Sequence, residues 1–98
     1  MPVHVYILYS TKLNKFYVGS TNDLSRRLQQ HNTGQSNYTS AGIPWILLWS
    51  CSKPSRLEAE EMEKKLKNLT RVRKLRFMLK YWDGIHDFER LQQIKDWR

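Results

Sequence analysis

Two runs of β-forming residues separated by five mostly polar ones constrain this chain more than any other feature. Val3 to Ser10 is apolar, aromatic and rich in strand formers, and Phe16-Tyr17-Val18-Gly19-Ser20 is a second such run. The link, Thr11-Lys12-Leu13-Asn14-Lys15, is short and contains an Asn, so the two strands are expected to return on each other as an antiparallel hairpin. A third run, Trp45 to Cys51, is apolar nearly throughout, the pattern of a strand buried on both faces.

The remaining segments carry helical signals. Thr21 and Asn22 are good N-cap residues for a helix from about Asp23 to His31, Asp23 suits its positive end, and Asn32-Thr33-Gly34 stops it. Gln35 to Pro44 reads as a polar loop. Ser55-x-x-Glu58 has the form of a capping box and opens a helix to about Leu69, with Ala59, Met62, Leu66 and Leu69 on one face. Thr70 can cap a third helix covering Val72, Leu75, Leu79 and Trp82, broken by Asp83-Gly84. Beyond it, Ile85, Phe88, Leu91, Ile94 and Trp97 recur every third residue, which predicts a docked helix whose partner is either this domain or another chain. Strand, strand, helix, strand, helix, helix predicts an α+β fold in which a small central three-stranded sheet, mixed or antiparallel, is flanked by helices. The 98 residues suit one domain over 1–82, with 83–98 as a C-terminal helical extension rather than a second domain.

Charge narrows the partners. Lys and Arg number 17 against 9 Asp and Glu, a formal charge of +8. Such an excess favours polyanions, since each neutralised phosphate releases condensed counterions, although a basic protein need not bind nucleic acid. The single cysteine, Cys51, excludes an intrachain disulfide and, sitting in an apolar run, reads as a small core residue. The apolar runs are too short to span a bilayer and no export signal is visible, so a cytoplasmic location and no membrane partner are expected.

Few residues could do chemistry. If the hairpin turns near Lys12, Tyr6 and Tyr17 sit close on one face, where two phenols can orient a water, accept a proton or bind a phosphate oxygen; tyrosine is also simply common in strands. Arg27 and His31, four apart, share a helix face, which offers a guanidinium for phosphate and an imidazole for proton transfer, or else a solvated edge with a histidine satisfying helix carbonyls. Glu63 lies between Ala59 and Leu66 at the margin of an apolar face, where a carboxylate needs a partner: a divalent cation or a basic side chain. His4, His31 and His86 are far apart and no Cys/His cluster has zinc spacing.

Taken jointly, these residues resemble the GIY-YIG nuclease domain. The resemblance rests on His4-Val5-Tyr6-Ile7-Leu8, the interval from Tyr6 to Tyr17-Val18-Gly19, Asp23-Leu24-Ser25-Arg26-Arg27-Leu28-x-x-His31, and Glu63-x-x-Leu66, and it covers about Val3 to Leu79. It is strongest for the small single-domain bacterial members, and it extends to the N-terminal domain of the nuclease component of excinuclease. The His31-Asn32-x-Gly34 turn and the stretch from Tyr38-Thr39 to Pro44-Trp45 also look like the catalytic subunit of the eukaryotic structure-specific endonuclease. The resemblance implies Tyr6 as general base toward water, Tyr17 lining the same pocket, Gly19 permitting close packing, Arg27 stabilising the transition state, and His31 assisting proton transfer or binding phosphate. It implies Glu63 as the single protein ligand of one Mg²⁺ or Mn²⁺ ion. Two departures stand out: His4 replaces a Gly common in the first motif, and Asn68 is too near Glu63 to be the Asn many members carry after that helix.

The function expected from this resemblance is metal-dependent hydrolysis of DNA phosphodiester bonds, on branched, damaged or single-stranded forms met in repair or recombination, with RNA left open. The alternative is a nucleic-acid-binding module on the same fold, weakly active or inactive, using Arg26, Lys64, Lys67, Arg71, Arg73 and Lys74 as a phosphate-tracking surface. A further possibility is a protein partner, or a second copy, docked through the C-terminal segment.

Overall fold

The computed structural model describes residues 2–94. Three strands, β1 (Val3–Ser10), β2 (Lys15–Thr21) and β3 (Trp45–Lys53), form one antiparallel sheet in the order β2-β1-β3. The helices are α1 (Leu24–Asn32), α2 (Arg56–Lys67), α3 (Arg71–Lys80) and a short α4 (Phe88–Gln93), with single 3-10 turns at Ser40–Gly42 and Trp82–Gly84. This is the α+β architecture that the sequence predicts.

The hairpin turn is held by side chains. Asn14 takes the left-handed conformation (φ 53°), which Asn tolerates better than most residues, and its carboxamide oxygen accepts from Tyr9 Oη at 2.5 Å. Leu13 N donates to Ser10 Oγ at 3.1 Å. The resulting register pairs Tyr6 with Gly19 and Leu8 with Tyr17. Because strand side chains alternate, Tyr6, Leu8, Tyr17 and Gly19 share one face. Val3, Val5, Ile7, Tyr9 and Val18 share the other.

Each face has its own cover. The Val5 face packs on Ala59 and Leu66 of α2, Leu75 and Met78 of α3, and Leu91 and Ile94 at the C-terminal end, all buried. The Tyr6 face packs Leu8 and Trp45 against Leu24 and Leu28 of α1, with Ile43 and Leu47. A bulge in β3 serves both: Ile7 pairs with Trp49 but Leu8 with Leu47, so Leu48 is an extra residue and lies beside Trp49 in the larger core.

Several boundaries differ from the sequence reading. The strand buried on both faces is β1, while β3 is an edge strand with only Trp45, Leu48 and Trp49 fully covered. Asp23, not Thr21 or Asn22, caps α1, accepting from Arg26 N at 3.1 Å; Thr21 Oγ1 instead accepts from Asp23 N. The helix opened by the Ser55 cap stops at Lys67 rather than Leu69. On α3 the buried positions are Leu75 and Met78; Leu79 is 39% exposed, and Trp82 lies past the helix end and is 71% exposed. The period of three at the C-terminal end is realised only in part: Leu91 and Ile94 enter this domain's core and Phe88 is half exposed. Trp97 lies outside the described residues. Among the described residues, no helix is long and apolar enough to cross a membrane.

Candidate active site

The Tyr6 face of the hairpin and the inner side of α1 meet around one buried histidine. His31 is 0% exposed; its Nε2 lies 3.0 Å from Tyr6 Oη and its Nδ1 2.8 Å from Thr39 Oγ1. Burial, reinforced by the positive charge of Arg27, pulls its pKa down to about 4, so the imidazole is neutral at pH 7. The Tyr6 phenol is pushed up to about 12, chiefly by burial, although the nearby Arg27 guanidinium works the other way.

Tyr17 completes the cluster. Its ring lies 4.9 Å from that of His31 and 6.3 Å from that of Tyr6, centroid to centroid. Gly19 is required by the phenol beside it: a Cβ there would stand 2.5 Å from Tyr6 Oη and 2.7 Å from Tyr6 Cζ, closer than side chains pack. Arg27 donates to Gln30 Oε1 at 3.1 Å. Burial lowers its affinity for its proton, but the oxygens of Tyr6 and Tyr17 outweigh that and hold its pKa above the usual value.

Glu63 arrives from the other layer. It sits on α2, beneath the opposite face of the sheet, and reaches β2 because β2 is an edge. Ser20 Oγ donates to its Oε1 at 2.6 Å, and Lys67, one turn on, contacts Oε2 at 2.6 Å. The sequence leaves the partner open between a cation and a basic side chain; in the fold it is Lys67, with Ser20 besides. An oxygen-only donor at one carboxylate fits a hard divalent ion that keeps most of its water shell. Among the described residues no group of three His, Cys, Asp or Glu could hold a metal ion.

The profile of the GIY-YIG catalytic domain matches residues 2–76. The chain belongs to the GIY-YIG family. Within that family it is 38% identical to a UPF0213 protein of Xanthomonas axonopodis pv. citri, over 88% of this chain and 84% of that one. It is also 38% identical to a UPF0213 protein of Streptococcus agalactiae, over 80% and 89%. The UPF0213 protein of Bacillus halodurans, determined in solution by NMR, has 30% identity with a TM-score of 0.53, covering 97% of this chain and 98% of that one.

The structure thus gathers Tyr6, Tyr17, Arg27 and His31 on one side of the sheet, with Glu63 at the β2 edge. The basic residues divide. Arg26, Lys64 and Arg73 are exposed. Lys67 is paired with Glu63, Lys74 donates to Leu69 O at 2.6 Å, and Arg71 is bound to the hairpin turn. Two residues of the site escape the sequence reading. Ser20 points away from Tyr17 by strand parity, and nothing short of the edge position shows it reaching Glu63. Thr39 lies in an irregular loop whose spacing to His31 carries no periodic signal.

Proposed function

We propose that this protein is a metal-dependent endonuclease that hydrolyses DNA phosphodiester bonds, with Tyr6, Tyr17, Arg27, His31 and Glu63 as its working residues. The observation that carries this reading is the hydrogen bond between the Tyr6 phenol and a buried, neutral His31. A neutral imidazole has one N–H and one bare nitrogen. In the tautomer this reading uses, Nδ1–H donates to the Thr39 hydroxyl, whose own proton turns toward Ser36 O 3.5 Å away, and Nε2 accepts the Tyr6 proton.

The Tyr6 oxygen then has one lone pair directed to the Arg27 guanidinium, which bonds it, and one left for a water. A standing tyrosinate is not the base: with a pKa of about 12, roughly one Tyr6 in 10⁵ is ionised at pH 7. The attacking water instead gives its proton to the Tyr6 oxygen as Tyr6 passes its own to His31 Nε2, the new P–O bond forms as the bond to the leaving oxygen breaks, and the leaving oxygen takes a proton from solvent while His31 returns its own there. Arg27 faces the phosphate and holds the charge of the transition state. Its pairing with that anion also offsets the positive charge that depresses His31, so substrate binding raises the basicity of the imidazole. Tyr17 packs its ring edge against His31 and holds the imidazole in place. Glu63, fixed by Ser20, would hold a Mg²⁺ or Mn²⁺ ion, which when bound supplies Lewis-acid stabilisation of phosphate charge. The substrates in this reading are branched, damaged or single-stranded DNA of the kind processed in repair and recombination.

The test incubates purified protein with flap, fork, loop, single-stranded and duplex DNA in Mg²⁺ or Mn²⁺. Cleavage is expected, and its loss in Glu63→Ala; no cleavage of any form, or cleavage unchanged in that variant, overturns the reading. One observation favours a binding module instead: Lys67 already occupies the Glu63 carboxylate. In that case steeply salt-dependent DNA binding remains without metal-dependent cleavage.

A further inference from the structure

A cleft of about 590 Å³ opens beside Tyr17, within the range of ligand pockets. Tyr17, Tyr38, Phe16 and Trp45 supply its apolar walls, and Lys15, Lys67 and Lys74 its charge. Tyr38 is the unusual member. Its side chain is 87% exposed, and its ring touches the Tyr17 ring at a centroid distance of 6.2 Å and a tilt of 58°. An aromatic ring left this open would be cheap on a mobile loop, but this backbone is anchored. The next residue, Thr39, is buried, bound to His31 through its hydroxyl and to Trp45 Nε1 through its carbonyl at 2.7 Å. Trp45 is tied in turn to α1, where Asn32 exchanges two hydrogen bonds with its backbone. The fold therefore anchors the backbone beside an open aromatic ring that lies against Tyr17, in a cleft that three lysines also line.

We infer that Tyr38 is a stacking platform for an unpaired nucleobase of DNA, and that Lys15 and Lys74 take the phosphate of that nucleotide. The polymer's identity rests on the nuclease reading; the stacking geometry does not. In a duplex both faces of each internal base are covered by its neighbours, so only an unpaired or extruded base can cover Tyr38. The ammonium of Lys74 spends one proton on Leu69 O and keeps two for an anion. This makes Tyr38 a specificity residue, selecting single-stranded or flapped DNA over continuous duplex.

The test measures binding of a fluorescent single-stranded dodecamer, alone and annealed to its full complement as a blunt duplex, by anisotropy in EDTA, where no cleavage can occur. Base–aromatic stacking is worth about 1–3 kcal/mol, so Tyr38→Ala is expected to weaken single-strand binding about 5- to 150-fold, with duplex binding changed less than twofold. Tyr38→Trp should restore it. A dodecamer of abasic nucleotides, which offers no base to stack, should bind wild type and Tyr38→Ala equally. Absence of single-strand binding by wild type, an unchanged affinity in Tyr38→Ala, or an equal loss on duplex overturns the inference. Those results leave metal-dependent cleavage untouched; absence of cleavage with Tyr38-dependent single-strand binding would remove the nuclease reading and keep the platform.

Discussion

Acidification should unfold this protein through His31. The imidazole is fully buried between Tyr6 and Thr39, and burial together with Arg27 brings its pKa from the ordinary 6.5 to about 4. The folded state therefore binds this proton more weakly than the unfolded chain does. Stability from this group is fully present above pH 6.5 and is lost as pH falls through about 4. That gap is worth about 3 kcal/mol, a large share of the roughly 5–15 kcal/mol that holds a domain of this size. The assay is urea denaturation at intervals from pH 7.5 to 4, comparing wild type with His31→Gln, whose amide does not titrate. Carboxylates and His86 contribute alike to both proteins and cancel in the difference. Whatever His31→Gln costs at pH 7, the gap between the two proteins should narrow by about 3 kcal/mol by pH 4, with a midpoint well below 6.5. Parallel curves would show that His31 carries no such burden, and would remove the argument that it is neutral when it accepts from Tyr6.

Two further substitutions test the packing around the cluster. Gly19→Ala places a methyl against the Tyr6 phenol; a loss of about 1–3 kcal/mol in chemical denaturation is expected, with reduced activity, and an unaltered midpoint would mean that Tyr6 moves freely. Arg71 donates to Asn14 O at 2.7 Å and Asn14 Oδ1 at 2.6 Å, and lies 5.1 Å from the Phe16 ring centroid. Arg71→Ala should thus cost about 1–3 kcal/mol of stability and leave the salt dependence of DNA binding unchanged. Arg73→Ala should instead lower the slope of log K against log salt by about 0.9 with little effect on stability. The reverse pattern would return Arg71 to the phosphate-binding surface.

The parts of this structure legible in the sequence are those governed by local rules. Alternation and a turn near Lys12 place Tyr6 and Tyr17 on one face: the turn is Thr11–Asn14, four residues with Ser10 paired to Lys15, and the fifth residue of the polar link belongs to β2. The four-residue spacing of Arg27 and His31 puts both on the inner side of α1. What stays hidden depends on which element covers which. Nothing local to β3 distinguishes an edge strand with a bulge from a central one, so its apolar run suggests burial on both faces. Leu79 and Trp82 fit the helical period as well as Met78 does, and only the position of α3 against Val5, Ile7 and Leu66 decides which of them is covered. Thr39 is beyond reach for the same reason, since its partner is fixed by the path of an irregular loop.

That division explains how so small a protein assembles the cluster at all. The tyrosines and His31 belong to the α1 layer and Glu63 to the α2 layer, with the sheet between them. A carboxylate under the central strand β1 could not reach the other face. β2 lies at the edge, so Glu63 can meet the sheet's rim, and Ser20, which faces the α2 side, fixes the carboxylate there at 2.6 Å. Lys67 bonds the same carboxylate and also lines the cleft of Tyr17 and Tyr38. One ammonium thus joins the two layers: an anion entering the cleft competes with Glu63 for Lys67, and the carboxylate oxygen released by that exchange becomes available to a cation. On the proposed endonuclease function, substrate phosphate and metal would each be drawn in by the partner that the other leaves free, which would give the Glu63–Lys67 pair a role beyond the resting fold.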